Sequence, residues 1–136
     1  MPIMKWSDRY ATGIEQLDAQ HRTLFRMSED YRDSLSEGKG ERTYGVLLQM
    51  LEAYARAHFG FEEQCMYRYQ CPVAQTNRAA HARFIAALGG FRTRYAAAGF
   101  VMADAEQLVE FLDGWLDDHI GRIDVELKQL VEKPIG

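Results

Sequence analysis

The chain has 136 residues, 47% of them hydrophobic and 26% charged, with a formal net charge of -4. That is enough apolar material for one core, and at this length a single domain over residues 1–136 is expected. Lys and Arg number 16 against 20 Asp and Glu and form no basic block, which excludes nucleic acid and anionic membrane surfaces as natural partners. Apolar stretches are interrupted every few residues, so no transmembrane helix is expected. The start of the chain, Met1 to Asp8, lacks the apolar core of a signal peptide, and the cytoplasm is the expected location. Cys65 and Cys71 have no CxxC spacing, and in a reducing compartment they read as thiols with a structural role.

Only three prolines occur, Pro2, Pro72 and Pro134, and glycines cluster at Gly38 and Gly40, at Gly89 and Gly90, and at Gly99. This punctuation predicts four helices. The first runs over about 17–37, with Asp18 as a cap, or earlier if Thr12 and Glu15 form a capping box. Leu17, His21, Leu24, Phe25 and Ser28 share one of its faces. The second runs over about 41–69, with Leu47, Leu51, Tyr54, Ala55, His58, Phe61, Glu62 and Cys65 as a buried stripe. The third runs over about 73–97 with Asn77, His81, Phe84, Ile85, Leu88, Phe91 and Tyr95 inward, and Gly89-Gly90 marks close packing or a kink. The fourth runs over about 103–131 with Leu108, Phe111, Leu112, Trp115, Leu116, His119 and Ile123 inward. Met27, Met50, Met66 and Met102 read as core filler. Short connections make the expected fold all-α, an up-down-up-down antiparallel four-helix bundle with an N-terminal arm. The exposed faces of the first and last helices show no apolar patch, so a monomer is expected.

Every histidine of the chain falls within an apolar stripe, one on each predicted helix: His21, His58, His81 and His119. Glu62 lies four residues after His58, hence one turn along the same face. Imidazoles and carboxylates so placed suit iron, manganese or zinc, whereas calcium asks for oxygen ligands only. Buried Glu62 and Asp124 agree with this, because interior carboxylates are paired or bound to a cation.

These residues resemble the hemerythrins, in their single-domain bacterial form. The likeness covers almost the whole chain. It runs from Trp6 and Tyr10 through Thr12-Gly13-Ile14-Glu15-Gln16-Leu17-Asp18-Ala19-Gln20-His21, His58-Phe59-Gly60-Phe61-Glu62-Glu63 with Met66, and Pro72, Asn77, His81 and Phe84, to Trp115-Leu116-Asp117-Asp118-His119-Ile120 and Asp124. The resemblance implies two iron ions with an oxo or hydroxo bridge, Glu62 and Asp124 as bridging carboxylates, His21 and His58 on the iron that binds O2, and His81 and His119 on the other. His119 and Asp124 are five apart and diverge on a regular α-helix, so the last helix must loosen between them, and Gly121 lies in that gap. Read without the resemblance, Asp124 is equally a solvated surface acid.

One position departs from the family pattern. The hemerythrins carry a further histidine four residues before His81, and here that residue is Asn77. Three outcomes follow: its carbonyl oxygen ligates, a water takes the place, or Gln75, Glu63 or Tyr67 swings in. Leu24, Phe59 and Trp115 are candidates for an apolar O2 pocket, and Gln20, Glu63 and Asp118 for hydrogen-bond partners of the ligand histidines. Three functions are consistent with the sequence. The first is O2 storage, delivery or sensing, without enzymatic turnover. The second is a diiron redox enzyme, a peroxidase, an oxidase or a reductase of NO or peroxide, using a second site opened by Asn77. The third is an iron-handling module. A sensing role would pass its signal through a protein partner that the sequence does not identify.

Overall fold

The computed structural model describes residues 6–124 and 126–132, without the side chains of 122–124 and 132. A short 3-10 turn, Asp8–Tyr10, precedes helices α1 (Glu15–Ser36), α2 (Gly40–Arg68), α3 (Ala74–Ala98) and α4 (Met102–Trp115). The last helix then widens into a π-helical segment, Leu116–Asp124, and returns to α geometry in α5 (Glu126–Glu132). The fold is an all-α four-helix bundle of the up-down-up-down kind, with no strand among the described residues. Helix α2 packs on both α1 and α3, and α1 and α3 both pack on the α4–π column, which closes the ring.

The boundaries have local causes. Helix α1 starts at Glu15 with Ile14 as its N-cap, earlier than residue 17, and neither expected cap forms: Asp18 does not cap it and Thr12 and Glu15 make no capping box. From inside the first turn the Asp18 carboxylate instead accepts from the Thr12 backbone N–H at 2.8 Å, the Thr12 hydroxyl at 2.8 Å and the Gly13 N–H at 3.3 Å. An acid there also faces the positive end of the helix dipole. Gly13 turns at φ 89°, a left-handed conformation that only glycine adopts without strain. Gln70 ends α2 in a left-handed conformation, and Cys71 N–H closes the end on the Met66 carbonyl at 2.9 Å.

Two expectations about the interior are corrected. Gly89 and Gly90 do not interrupt α3 and do not mark close packing. The helix runs through them, a side chain at Gly89 would meet nothing within 4 Å, and one at Gly90 would meet only Arg94 Nη1 at 3.7 Å. Of the four methionines expected in the core, Met66 is buried and Met27 partly so. Met50 and Met102 are 54% and 47% exposed, because their positions on α2 and α4 face outward from the bundle.

The core falls into three clusters that leave a gap for polar groups. The largest joins Tyr31, Tyr44, Leu48, Leu51, Phe84, Leu88, Leu108 and Leu112 at one end of the bundle. A small one joins Leu17, Met66, Cys71 and Leu127 at the other end. The third seats the N-terminal arm, with Tyr10 and Phe25 rings 4.9 Å apart beside Leu24, Leu116 and Ile120. Ser28, in the apolar stripe of α1, donates to Asp113 at 2.9 Å, and Arg32 pairs with the same carboxylate, which ties α1 to α4. No helix among the described residues is long and apolar enough to cross a membrane.

Candidate metal centre

Between the two end clusters the four helices bring His21, His58, Glu62, His81 and His119 together, and Asn77 lies one turn before His81 on α3; none of the six is more than 3% exposed. Each comes from the face its spacing assigned. Glu62 stands at the middle, and its two oxygens address different histidines. Oε2 lies 2.8 Å from His21 Nε2 and 3.5 Å from His58 Nε2. Oε1 lies 2.9 Å from His81 Nε2 and 3.6 Å from His119 Nε2, and the last two nitrogens are 3.1 Å apart. Two donor sets result, His21–His58–Glu62 and Glu62–His81–His119, each with its atoms within 4.8 Å of one another.

The hydrogen bonding on the far side of the rings decides what these sets can hold. His58 Nδ1 donates to Gln20 Oε1 at 2.7 Å, and His81 Nδ1 donates to Glu63 Oε2 at 3.1 Å. A neutral imidazole that donates from Nδ1 has a lone pair at Nε2. For His81 that lone pair then faces a carboxylate oxygen and a second imidazole nitrogen at hydrogen-bond distance, an arrangement that repels unless a positive charge sits among the three. Donors about 2.1 Å from a common metal ion and at right angles lie about 3 Å apart. The separations of 2.8, 2.9 and 3.1 Å match that figure. The residues therefore fit metal cations, with Glu62 common to both donor sets. With no cation present, burial pushes the Glu62 carboxyl up, but Nε2–H donation from His119, His21, His58 and His81 outweighs it and holds the group well below the usual carboxylate range; a bound cation would take the place of those protons. A charged Glu62 is what a bridging ligand requires.

The other expected residues are placed as follows. Phe59 stacks on the His81 ring at 3.8 Å and 5°, and Trp115 on the His119 ring at 4.4 Å and 18°. They form an aromatic wall on that side of the centre. Leu24 lies in the cluster that seats the arm. Asp124 closes the π-helical segment, and its side chain lies outside the described residues. The segment itself supplies the loosening that the His119–Asp124 spacing requires, because a π turn holds about one residue more than an α turn. Gly121 within it leaves room for the arm: a side chain there would stand 3.2 Å from the Tyr10 ring.

Asn77 is fully buried, and neither Oδ1 nor Nδ2 has a hydrogen-bond partner among the described residues. Gln75 is exposed and Tyr67 is 85% exposed, so neither swings in toward it, while Glu63 is engaged with His81 and, at 3.7 Å, with Arg78. Sequence reasoning missed the cleft outside His81, lined by Arg56, Phe59, Glu63, Arg78, His81 and Ile85. The one signal for it was the His58–Glu62 helix itself, whose next residue, Glu63, had to face a neighbouring helix.

The family model of the Hemerythrin HHE cation binding domain matches residues 12–131. A bacteriohemerythrin of Pseudomonas aeruginosa (strain LESB58) is 28% identical over 88% of this chain and 76% of its own. The bacteriohemerythrin of Clostridium acetobutylicum is 23% identical over 85% of this chain and 91% of its own. That of Methylococcus capsulatus (strain Bath) is 25% identical over 91% of this chain and 93% of its own. The buried donor sets are accordingly a non-haem metal site of the hemerythrin kind. The family match begins in the Thr12 loop, ends inside the last helix and takes in both sets, and the chain belongs to the hemerythrin family.

Proposed function

We propose that residues 1–136 act as one hemerythrin-like domain that binds O2 at a non-haem diiron centre, for storage, delivery or sensing rather than turnover. The observation that carries this reading is the division of Glu62, with one oxygen toward His21 and His58 and the other toward His81 and His119. A carboxylate so divided suits two like cations with an oxo or hydroxo bridge, and an iron pair supplies the reversible redox chemistry that O2 binding needs. Asp124 is the second bridge in this reading, supported by the π-helical widening before it. O2 is assigned to the iron of His21 and His58, following the family pattern.

The chain's own residues keep such a centre intact. Gln20 and Glu63 fix the ring tautomer of His58 and His81, so that Nε2 points inward. Phe59 and Trp115 keep water from the histidines they cover, which slows the loss of reduced oxygen species. A cytoplasmic site of action and a monomer in solution complete the reading. Asn77 favours a second reading, a diiron redox enzyme, because an amide replaces an imidazole beside His81.

The deciding experiment is an optical spectrum of the iron-loaded, dithionite-reduced protein before and after air. A charge-transfer band that persists in air and disappears when O2 is removed is the expected result. Rapid passage to a diferric spectrum overturns reversible binding and selects the redox enzyme. Glu62→Ala serves as the control and is expected to lose paired metal; retention of two irons would refute the bridging role.

A further inference from the structure

Asn77 lies four residues before His81 on α3, one turn away on the same buried face. His58 and Glu62 stand in the same relation on α2. Both of those side chains reach the centre with an atom four covalent bonds from Cα, Nε2 or Oε, and so do His21, His81 and His119. The oxygen of an asparagine is only three bonds from Cα. Asn77 is thus one bond too short to stand where an imidazole or a glutamate would. Its amide is also fully buried, with no hydrogen bond from either polar atom among the described residues. A buried amide left in that state forfeits the hydrogen bonds it had with water, so a partner is required. The side chains nearest in sequence do not provide one, since Gln75 and Tyr67 face solvent and Glu63 is held by His81 and Arg78.

We propose that Asn77 does not ligate metal but holds an exchangeable small ligand on the metal of His81 and His119: water at rest, and a small anion when one is supplied. The inference rests on the metal-pair reading above. A ligand the size of water spans the missing bond. A water donates to Oδ1 and accepts from Nδ2, and an anion accepts from Nδ2 alone, so the amide receives either one.

The test uses azide on the diferric, iron-loaded protein, followed optically and by calorimetry, with iron counted on the same sample. The native protein is expected to show a second azide-binding event beyond the one at the His21–His58 metal. Asn77→His and Asn77→Gln should both abolish that event and keep the first, because each side chain is one bond longer and fills the position itself. Asn77→Ala should keep the second event but weaken it roughly five- to tenfold, the loss of one hydrogen bond. Asn77→Gln, closest in chemistry to the native residue, decides the matter if Asn77→His does not fold. Two irons with a single azide event, or a second event that survives in Asn77→Gln, overturns this inference and leaves the metal pair standing. Fewer than two irons per chain overturns the metal-pair reading and this inference with it.

Discussion

Each oxygen of Glu62 faces two imidazole nitrogens, and a cation held among them would let its charge persist in an apolar core. An isolated carboxylate would shift its pKa and neutralise instead. The histidines that surround it were legible one by one, because each falls in a helical stripe of known period. Their partners were not. Gln20 and Glu63 were two candidates among several polar neighbours, and only the packing of α1 on α2 and of α2 on α3 selected His58 and His81 for them. Tyrosines at the opposite end offer a residue-scale test. Burial, followed by the neighbouring Tyr44, pushes the Tyr31 hydroxyl well above its ordinary value of 10.0, and burial, followed by Asp104, raises Tyr44. A raised folded pKa means stability that is intact below the ordinary tyrosine value and lost as pH rises through the folded one. Denaturant titrations between pH 7 and 11 should therefore show stability falling above about pH 10. Tyr31→Phe should flatten that fall while costing about 1 kcal/mol at neutral pH, since it removes the hydrogen bond to the Gly40 carbonyl. Tyr44 has no hydrogen-bond partner among the described residues, so Tyr44→Phe should flatten the fall at almost no neutral cost. An unchanged alkaline slope in both variants would refute the assignment.

At the scale of elements, proline and glycine placed three of the four helices to within a residue or two, because Gly38, Pro72 and Gly99 stop helices for reasons of backbone geometry alone. The fourth differs. What reads as one helix over about 103–131 is an α-helix, a π-helical segment and a second α-helix. Apolar periodicity does not register a gradual widening, and only the five-residue gap between His119 and Asp124 asked for it. Gly121 serves this segment by admitting the Tyr10 ring, a long-range contact that the local sequence does not announce. Gly89 and Gly90 show the reverse case, a pair of glycines with no contact that requires them. Alanine at both positions should raise stability by about 1–2 kcal/mol in total through helix propensity, read as a higher thermal midpoint. A lower midpoint would show that α3 depends on a bend there.

For the whole molecule, the layering of apolar end clusters around one polar layer makes folding and metal binding separable. The large cluster around Leu51, Leu88 and Leu108 is built of side chains that hold no metal and meets the histidines through Phe59 and Trp115, so the bundle should persist without metal. Chelation is expected to leave helical circular dichroism almost unchanged. Reloading iron at about a hundredfold excess over Kd should raise Tm by about 10 °C, the mass-action gain for a chain of this size. Collapse of helicity on chelation would show that the centre is needed for folding itself. The sequence by itself determined the all-α class, the bundle and the four histidines with Glu62, because helical period and chain-breaking residues act locally. Only the tertiary structure decided that Glu62 divides its oxygens between two histidine pairs, that Glu63 backs His81, and that the Asn77 amide meets no hydrogen-bond partner among the described residues. Those facts depend on distances between helices, which are set when the whole core packs and by no segment of it alone.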